Sequence, residues 1–448
     1  MLGCEIKTCL PLIMNTSSCS PSSKKLHLLL RSSWQTVNIG DIGHTFGFQE
    51  IFPKYAPDIT ITLWPLNIDG GVREKLTSSY PEIQLAEGTL NEHGEPDSEA
   101  LRRAFEECDI YVHGSAPGLV VARDLAMWNE KTGKPSVLFG ITMDPTGPLQ
   151  TGNWEGGTLE QLSQQIESMP HHNLNDLQTS VFQSANLIYC RDTLTKRFLE
   201  KFGLNSGHVA FGADATFGFA PATPDAANVF LREHGLVKND YLCVVPRLRY
   251  TPYHRMHDWV TEDAATKAKD EVNDRTEAHD MGLLTDLVIR WVRETGKKVL
   301  LCPEMTYEVP LAKTAIYDLL PEDVRAKTVW LDRYWLPDEA LAVYAAAHSI
   351  VSTENHSPIL ALISGTPIIY LRQPTDSIKG QMWRDLGMGD WFFEIGETSV
   401  NDLWQPIESW LKDYPGARRT AASRQAAIDS QWSASIDQIR SIKLLKTT

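Results

Sequence analysis

The feature that most constrains this chain is an alternation, kept from Leu26 nearly to residue 400, of short apolar runs with longer amphipathic segments. Short runs rich in aliphatic and β-branched residues read as strands. When they alternate with helical patterns, they imply parallel sheets with helices on both faces. In the first half the strand candidates are residues 26–30, 59–63, 109–113, 135–142 and 186–190. Helix patterns follow at 42–55, 119–130 and 193–202, the last two stopped by Gly133 and Gly203. A Pro-rich stretch, 219–225, reads as a linker. A second series has strands at 241–245, 299–302, 328–331, 349–352 and 368–371, with helices at 281–294, 310–320 and 337–347. Helical segments at 401–412 and 421–445 close the chain.

With 448 residues the chain exceeds what one compact core accommodates. The expected architecture is α/β, with two Rossmann-like domains facing one another across a cleft. Their expected bounds are 25–220 and 226–400, after a disordered tail at 1–24 and before C-terminal helices at 401–448. A net charge of −15 argues against nucleic acid or an anionic membrane as the main partner. Any anionic substrate therefore needs a local cluster of Arg or Lys. No apolar run approaches the length of a transmembrane helix, about 18 residues. The seven cysteines include no C-x-x-C pair, so neither a zinc knuckle nor a disulfide framework is indicated. Cys4, Cys9 and Cys19 fall in the tail, and a reducing cytoplasmic location is expected.

In open α/β sheets ligands sit beyond the carboxyl ends of strands, close to helix N-termini. That rule singles out the turn Val351-Ser-Thr-Glu-Asn-His356-Ser-Pro, which carries Glu354, Asn355, His356 and Ser357. His356 reads either as a general acid or base, given an ordinary pKa of about 6.5, or as a cap on the following helix. Asn38-Ile-Gly-Asp41 occupies the first strand-to-helix turn. Gly40 there lets the backbone approach a ligand, or it serves only the turn, with Asp41 as N-cap. No G-x-G-x-x-G is present, so no dinucleotide cofactor is expected. Gly114-Ser-Ala-Pro-Gly118 is a second such loop, equally readable as a plain connection. Arg247 and Arg249 at i and i+2 of a strand end point to one side. They grip a phosphate or carboxylate, or they form solvated salt bridges. His254 and His257 with Asp258 invite a metal reading, but the spacing matches no zinc signature. The polar stretch 251–280 reads instead as a mobile lid, with no metal.

These features resemble the polysaccharide pyruvyl transferase family. Asn38-Ile-Gly-Asp41 is similar to its early N-x-G-D turn, and residues 137–145 to its mid-domain strand ending in a Gly/Pro loop. Cys190-Arg191-Asp192 with Thr195, Leu199 and Gly203 resembles its R-D-x-x-S/T helix start. Asp214-Ala-Thr-Phe217 resembles its D-x-x-F stretch. His356, Ala361, Gly365 and Pro367 resemble its R-x-H…A…G-x-P segment, with Lys379 where a lysine often follows. The resemblance implies a glycosyltransferase B-like fold and transfer of pyruvyl from phosphoenolpyruvate to sugar hydroxyls of a carbohydrate acceptor. It implies His356 as the acid, with Arg191, Arg247, Arg249 and Lys379 holding phosphate and carboxylate. Asn38, Gly40, Asp41, Glu354 and Asn355 complete the expected substrate-binding set. Two positions depart from the family pattern. Glu354 stands where the family places an arginine, and the turn after the third strand reads His113-Gly-Ser-Ala. Glu354 with Ala361, Gly365 and Pro367 also resembles the sugar-nucleotide site of B-fold glycosyltransferases. That leaves a nucleotide-sugar donor, or a glycan-binding member without turnover, as alternatives.

Overall fold

A computed structural model describes residues 25–204, 207–257 and 260–442. The expected tail at 1–24, with its three cysteines, and Asp258 lie outside the described residues. The first sheet comprises β1 (His27–Ser32), β2 (Thr60–Pro65), β3 (Gln84–Leu85), β4 (Ile110–His113), β5 (Ser136–Ile141), β6 (Leu187–Cys190) and β7 (His208–Phe211). The second comprises β8 (Tyr241–Val245), β9 (Lys298–Leu301), β10 (Thr328–Trp330), β11 (Ser349–Ser352), β12 (Ile368–Arg372) and β13 (Phe392–Glu394). Their spatial orders are 3-2-1-4-5-6-7 and 10-9-8-11-12-13, and every pairing is parallel. Both sheets thus reverse direction beside their first strand, between β1 and β4 and between β8 and β11. At such a reversal the flanking helices diverge and leave a crevice.

The α/β architecture expected from the alternation is therefore present. The strands that the sequence pattern did not disclose, β3, β7 and β13, are all at sheet edges and two to four residues long. Edge strands are kept short and lack the continuous apolar signature of central ones.

The segment expected to be a mobile lid is different. From residue 264 it forms the first half of one long helix, Ala264–Thr295, capped by Asp263 accepting from Thr266 N–H and ended by left-handed Gly296. Its N-terminal half is fixed by polar contacts, which hydrophobic periodicity does not register. Asn273 exchanges two hydrogen bonds with the Tyr250 backbone (2.8 Å each), and buried Asp280 takes Arg249.

The two halves are joined through the loops that follow β1 and β9. An antiparallel bridge joins Asn38 to Met305, with Ile39 N–H donating to Glu304 O and Thr306 N–H to Val37 O, 3.1 Å each. The last helix, Tyr414–Arg440, crosses back to the first sheet. Tyr55 and Tyr189 hydroxyls donate to its Asp429 and Ser435 carbonyls. Among the described residues no helix is long and apolar enough to cross a membrane. Cys108, Cys190, Cys243 and Cys302 are buried and unbridged.

Candidate active site

Between the facing crevices lies a cleft of about 1220 Å³. Its walls carry Asn38, Asp41 and Arg191 from the first half, and Arg247, Glu354, His356 and Lys379 from the second. Trp34, Tyr253 and Tyr334 add aromatic faces.

His356 opens the helix His356–Ile363, directly beyond β11. The first-turn N–H groups of such a helix form a ready anion site. Here the protein fills that site itself. Glu304, fully buried beyond β9, accepts from His356 N–H at 3.0 Å and Ser357 N–H at 2.6 Å. Its other oxygen lies 3.0 Å from His356 Nδ1. With Nδ1 engaged, Nε2 is left without a hydrogen bond, 3.9 Å from Asp214 Oδ2. Burial works against a charged ring. The Glu304 bond and charge, with Asp214 behind, outweigh it and raise the imidazole above its ordinary value. Glu304 is correspondingly held low: the His356 and Ser357 contacts overcome its own burial. No local sequence signal marks Glu304, because it reaches His356 across 52 residues.

Gly40 has a more specific task than admitting a ligand. A Cβ built on it would lie 2.0 Å from His356 Nδ1, so the bare backbone is what makes room for the imidazole. The N-cap of its helix, Ile39–Tyr55, is Asn38 rather than Asp41. The Asn38 side chain accepts from Gly40 N–H at 2.7 Å. Asp41 stands in the first turn, bonded to Gln35. One turn further, fully buried His44 places Nε2 3.2 Å from Asp214 Oδ2.

The expected anion grips are all matched by carboxylates. Arg191 pairs with Asp214 and donates to Thr142 at 2.9 Å. Arg247 Nε lies 2.9 Å from Glu354, and its terminal nitrogen meets Asp376. Lys379 stands 3.6 Å from the same Asp376. Asp214 lies well below the usual carboxylate range, since His44, Arg191 and His356 overcome the opposing effect of burial. Glu354 moves the other way. Burial, helped by the nearby Glu304 charge, pushes it up to about 7 against the pull of Arg247.

Arg249 and Asn355 do not line the cleft. Arg249 makes a two-pronged contact with Asp280 at 2.8 and 3.0 Å, pinning the long helix to the end of β8. The i, i+2 rule fails there because β8 ends at Val245, ahead of both arginines. Asn355 is buried and accepts from Trp383 Nε1 at 2.9 Å. The loop 114–118 is largely structural, with Ser115 Oγ bonded to the Phe139 carbonyl and to Ala215 N–H. His254, on the cleft rim, pairs with Asp270 at 3.1 Å.

Residues 30–373 match the sequence profile of a family described as polysaccharide pyruvyl transferase. No curated protein matches the sequence. Among solved structures, similarity extends to the Anabaena HepE protein in complex with UDP and glucose (TM-score 0.53, 12% identity, 93% of this chain and 99% of that one). It extends also to the Neisseria meningitidis UDP-GlcNAc 2-epimerase bound to UDP-GlcNAc (0.51, 9%, 93% and 100%). A third is the Staphylococcus aureus MnaA–UDP structure (0.51, 9%, 89% and 91%). At such identities the likeness is one of fold, and that fold is glycosyltransferase B-like.

Proposed function

The chain belongs to the polysaccharide pyruvyl transferase family, and from that premise we propose that its cleft moves a pyruvyl group from phosphoenolpyruvate onto hydroxyls of a carbohydrate. The observation that carries this reading is the state of His356. Its Nδ1 is held by Glu304, its pKa is raised, and its unpartnered Nε2 belongs to a ring that lines the cleft. An imidazole so held, with its charged form favoured, is suited to act as a general acid.

Nε2–H gives its proton to the methylene carbon of the enol, which becomes a methyl group, and the adjacent carbon becomes cationic. A sugar hydroxyl adds to that carbon, and its proton returns to Nε2. The C–O bond to phosphate then breaks, a second hydroxyl closes the ketal, and inorganic phosphate leaves with the remaining proton. Arg247 and Lys379 are the groups suited to the donor's phosphate and carboxylate, and Trp34, Tyr253 and Tyr334 offer apolar faces to sugar rings.

A second reading, a nucleotide-sugar donor, is favoured by Glu354. A carboxylate beside Arg247 opposes an anionic donor and suits hydroxyl groups. The similar structures solved with UDP agree with it. Thermal unfolding separates the readings, because a ligand specific to the folded chain raises its melting temperature. Phosphoenolpyruvate should raise it and UDP should not. The reverse result would replace the donor. No shift with either would favour a glycan-binding protein without turnover. His356→Ala should abolish phosphate release while leaving the fold intact, and full residual activity would remove His356 from the chemistry.

A further inference from the structure

Beneath the acid lies a group of side chains that the transfer reaction does not require in full. We propose that His44, Asp214 and His356 form a binding site for one divalent transition-metal ion of the Zn²⁺ class. One ligand atom from each residue lies within 4.8 Å of the others. Ligands around a tetrahedral ion, with bonds of about 2.0–2.2 Å, stand about 3.4 Å apart. The His44–Asp214 separation of 3.2 Å is already of that size, and that of His356 to Asp214, 3.9 Å, needs a small closure.

Two further observations point to a cation. Nδ1 of His44 and Nε2 of His356 lack a hydrogen bond although the side chains are almost wholly buried. Buried polar atoms left in that state are costly unless something completes them. His356 has its Nδ1 on the Glu304 carboxylate, the outer-shell arrangement that orients metal-bound imidazoles and leaves Nε2 to ligate. Asp214 is held by Thr216 N–H on Oδ1 and by Arg191 on Oδ2, the oxygen that both Nε2 atoms approach. Imidazole and carboxylate donors without sulfur suit Zn²⁺ and Co²⁺, whereas Mg²⁺ and Ca²⁺ prefer all-oxygen shells. Of the three ligands, His356 is the one that also lines the cleft.

The ion would occupy Nε2, the atom from which the proposed acid gives its proton. On the reading of His356 as acid, the metal-loaded chain is therefore the silent form. The binding claim itself does not depend on that reading, so the test begins with binding. The metal-free full chain is titrated with Zn²⁺ by calorimetry and with Co²⁺ by visible absorption. One ion per chain is expected, with the absorption of a low-coordinate nitrogen/oxygen site. His44→Ala and His356→Gln should each weaken binding at least about tenfold, whereas His254→Ala on the cleft rim should not change it. Should His44→Ala fail to fold, His356→Gln at the cleft surface decides. No binding by the wild type, undiminished binding by the two site variants, or loss only in His254→Ala overturns the site. If Zn²⁺ binds as expected but leaves turnover undiminished, the metal site stands and the acid role of His356 falls.

Discussion

Replacing Gly40 by alanine tests how closely the site is built. Gly40 lies in the first turn of a helix, and alanine there is favoured over glycine by roughly 0.5–1 kcal/mol on backbone grounds. Backbone propensity alone would therefore make the variant more stable. The new Cβ, however, would sit 2.0 Å from His356 Nδ1, where ordinary contact begins near 3.4 Å. The imidazole must retreat by the difference, about 1.4 Å. It then loses its 3.0 Å bond to Glu304. A buried hydrogen bond to a charged group is worth about 1.5–3 kcal/mol. The net expectation is a loss of about 1–2 kcal/mol of stability. A displacement of that size at a reacting group costs about 100-fold in rate. Thermal unfolding and phosphate release measure the two effects. Gly118→Ala, whose Cβ would meet nothing within 4 Å, is the control. A Gly40→Ala chain as stable and as active as that control would refute the tight seating of His356 against the helix. The stability arm holds whatever the donor proves to be.

Glu304→Gln removes the charge that keeps His356 protonated. An acid-dependent rate is flat below the folded pKa of the imidazole and falls above it. In the variant that fall should come at lower pH, and an unchanged profile would dismiss Glu304 as a positioning group. The same raised pKa makes a stability contribution that is full below the unfolded value near 6.5 and is lost as pH climbs through the folded one, as denaturant titrations across that window should show. Glu354→Gln leaves Arg247 with Asp376 alone, so inorganic phosphate should bind about tenfold tighter near pH 7, a gain of about 1.4 kcal/mol. Because Glu354 is pushed up to about 7, wild-type phosphate affinity should rise as pH falls through that value, and the variant's should not. Equal affinities in calorimetry would show that Glu354 does not compete with the anion.

What the sequence disclosed and what it hid divide along a physical line. Central strands are buried on both faces, and their apolar runs, 241–245 or 349–352 for example, announce themselves locally. The topology rule then places the turn around His356 at the carboxyl end of its strand with no further information. The edge strands β3, β7 and β13 escaped because such short edges lack a continuous apolar run, whereas the edge strand β10 was legible at 328–331; the polar half of the long helix escaped because Asn273 and Asp280 fix it through hydrogen bonds and charge. The partners of the functional groups escaped for a deeper reason. Arg247 meets Asp376 across 129 residues, and His356 meets Glu304 across 52. A candidate cation can be read from one position, but its counter-ion belongs to another loop that only the assembled sheets bring near. Charge pairing also changes what such a candidate can do. A free arginine beside a cleft attracts any phosphate, whereas Arg247, clamped by Glu354 and Asp376, accepts an anion only if a carboxylate yields or takes up a proton. Of the two, Glu354 is the one poised to do so, since Asp376 is held far below the usual carboxylate range by Arg247, Lys379 and Arg372 against its own burial. On the reading of an anionic donor at Arg247, Glu354 makes its binding conditional on a proton.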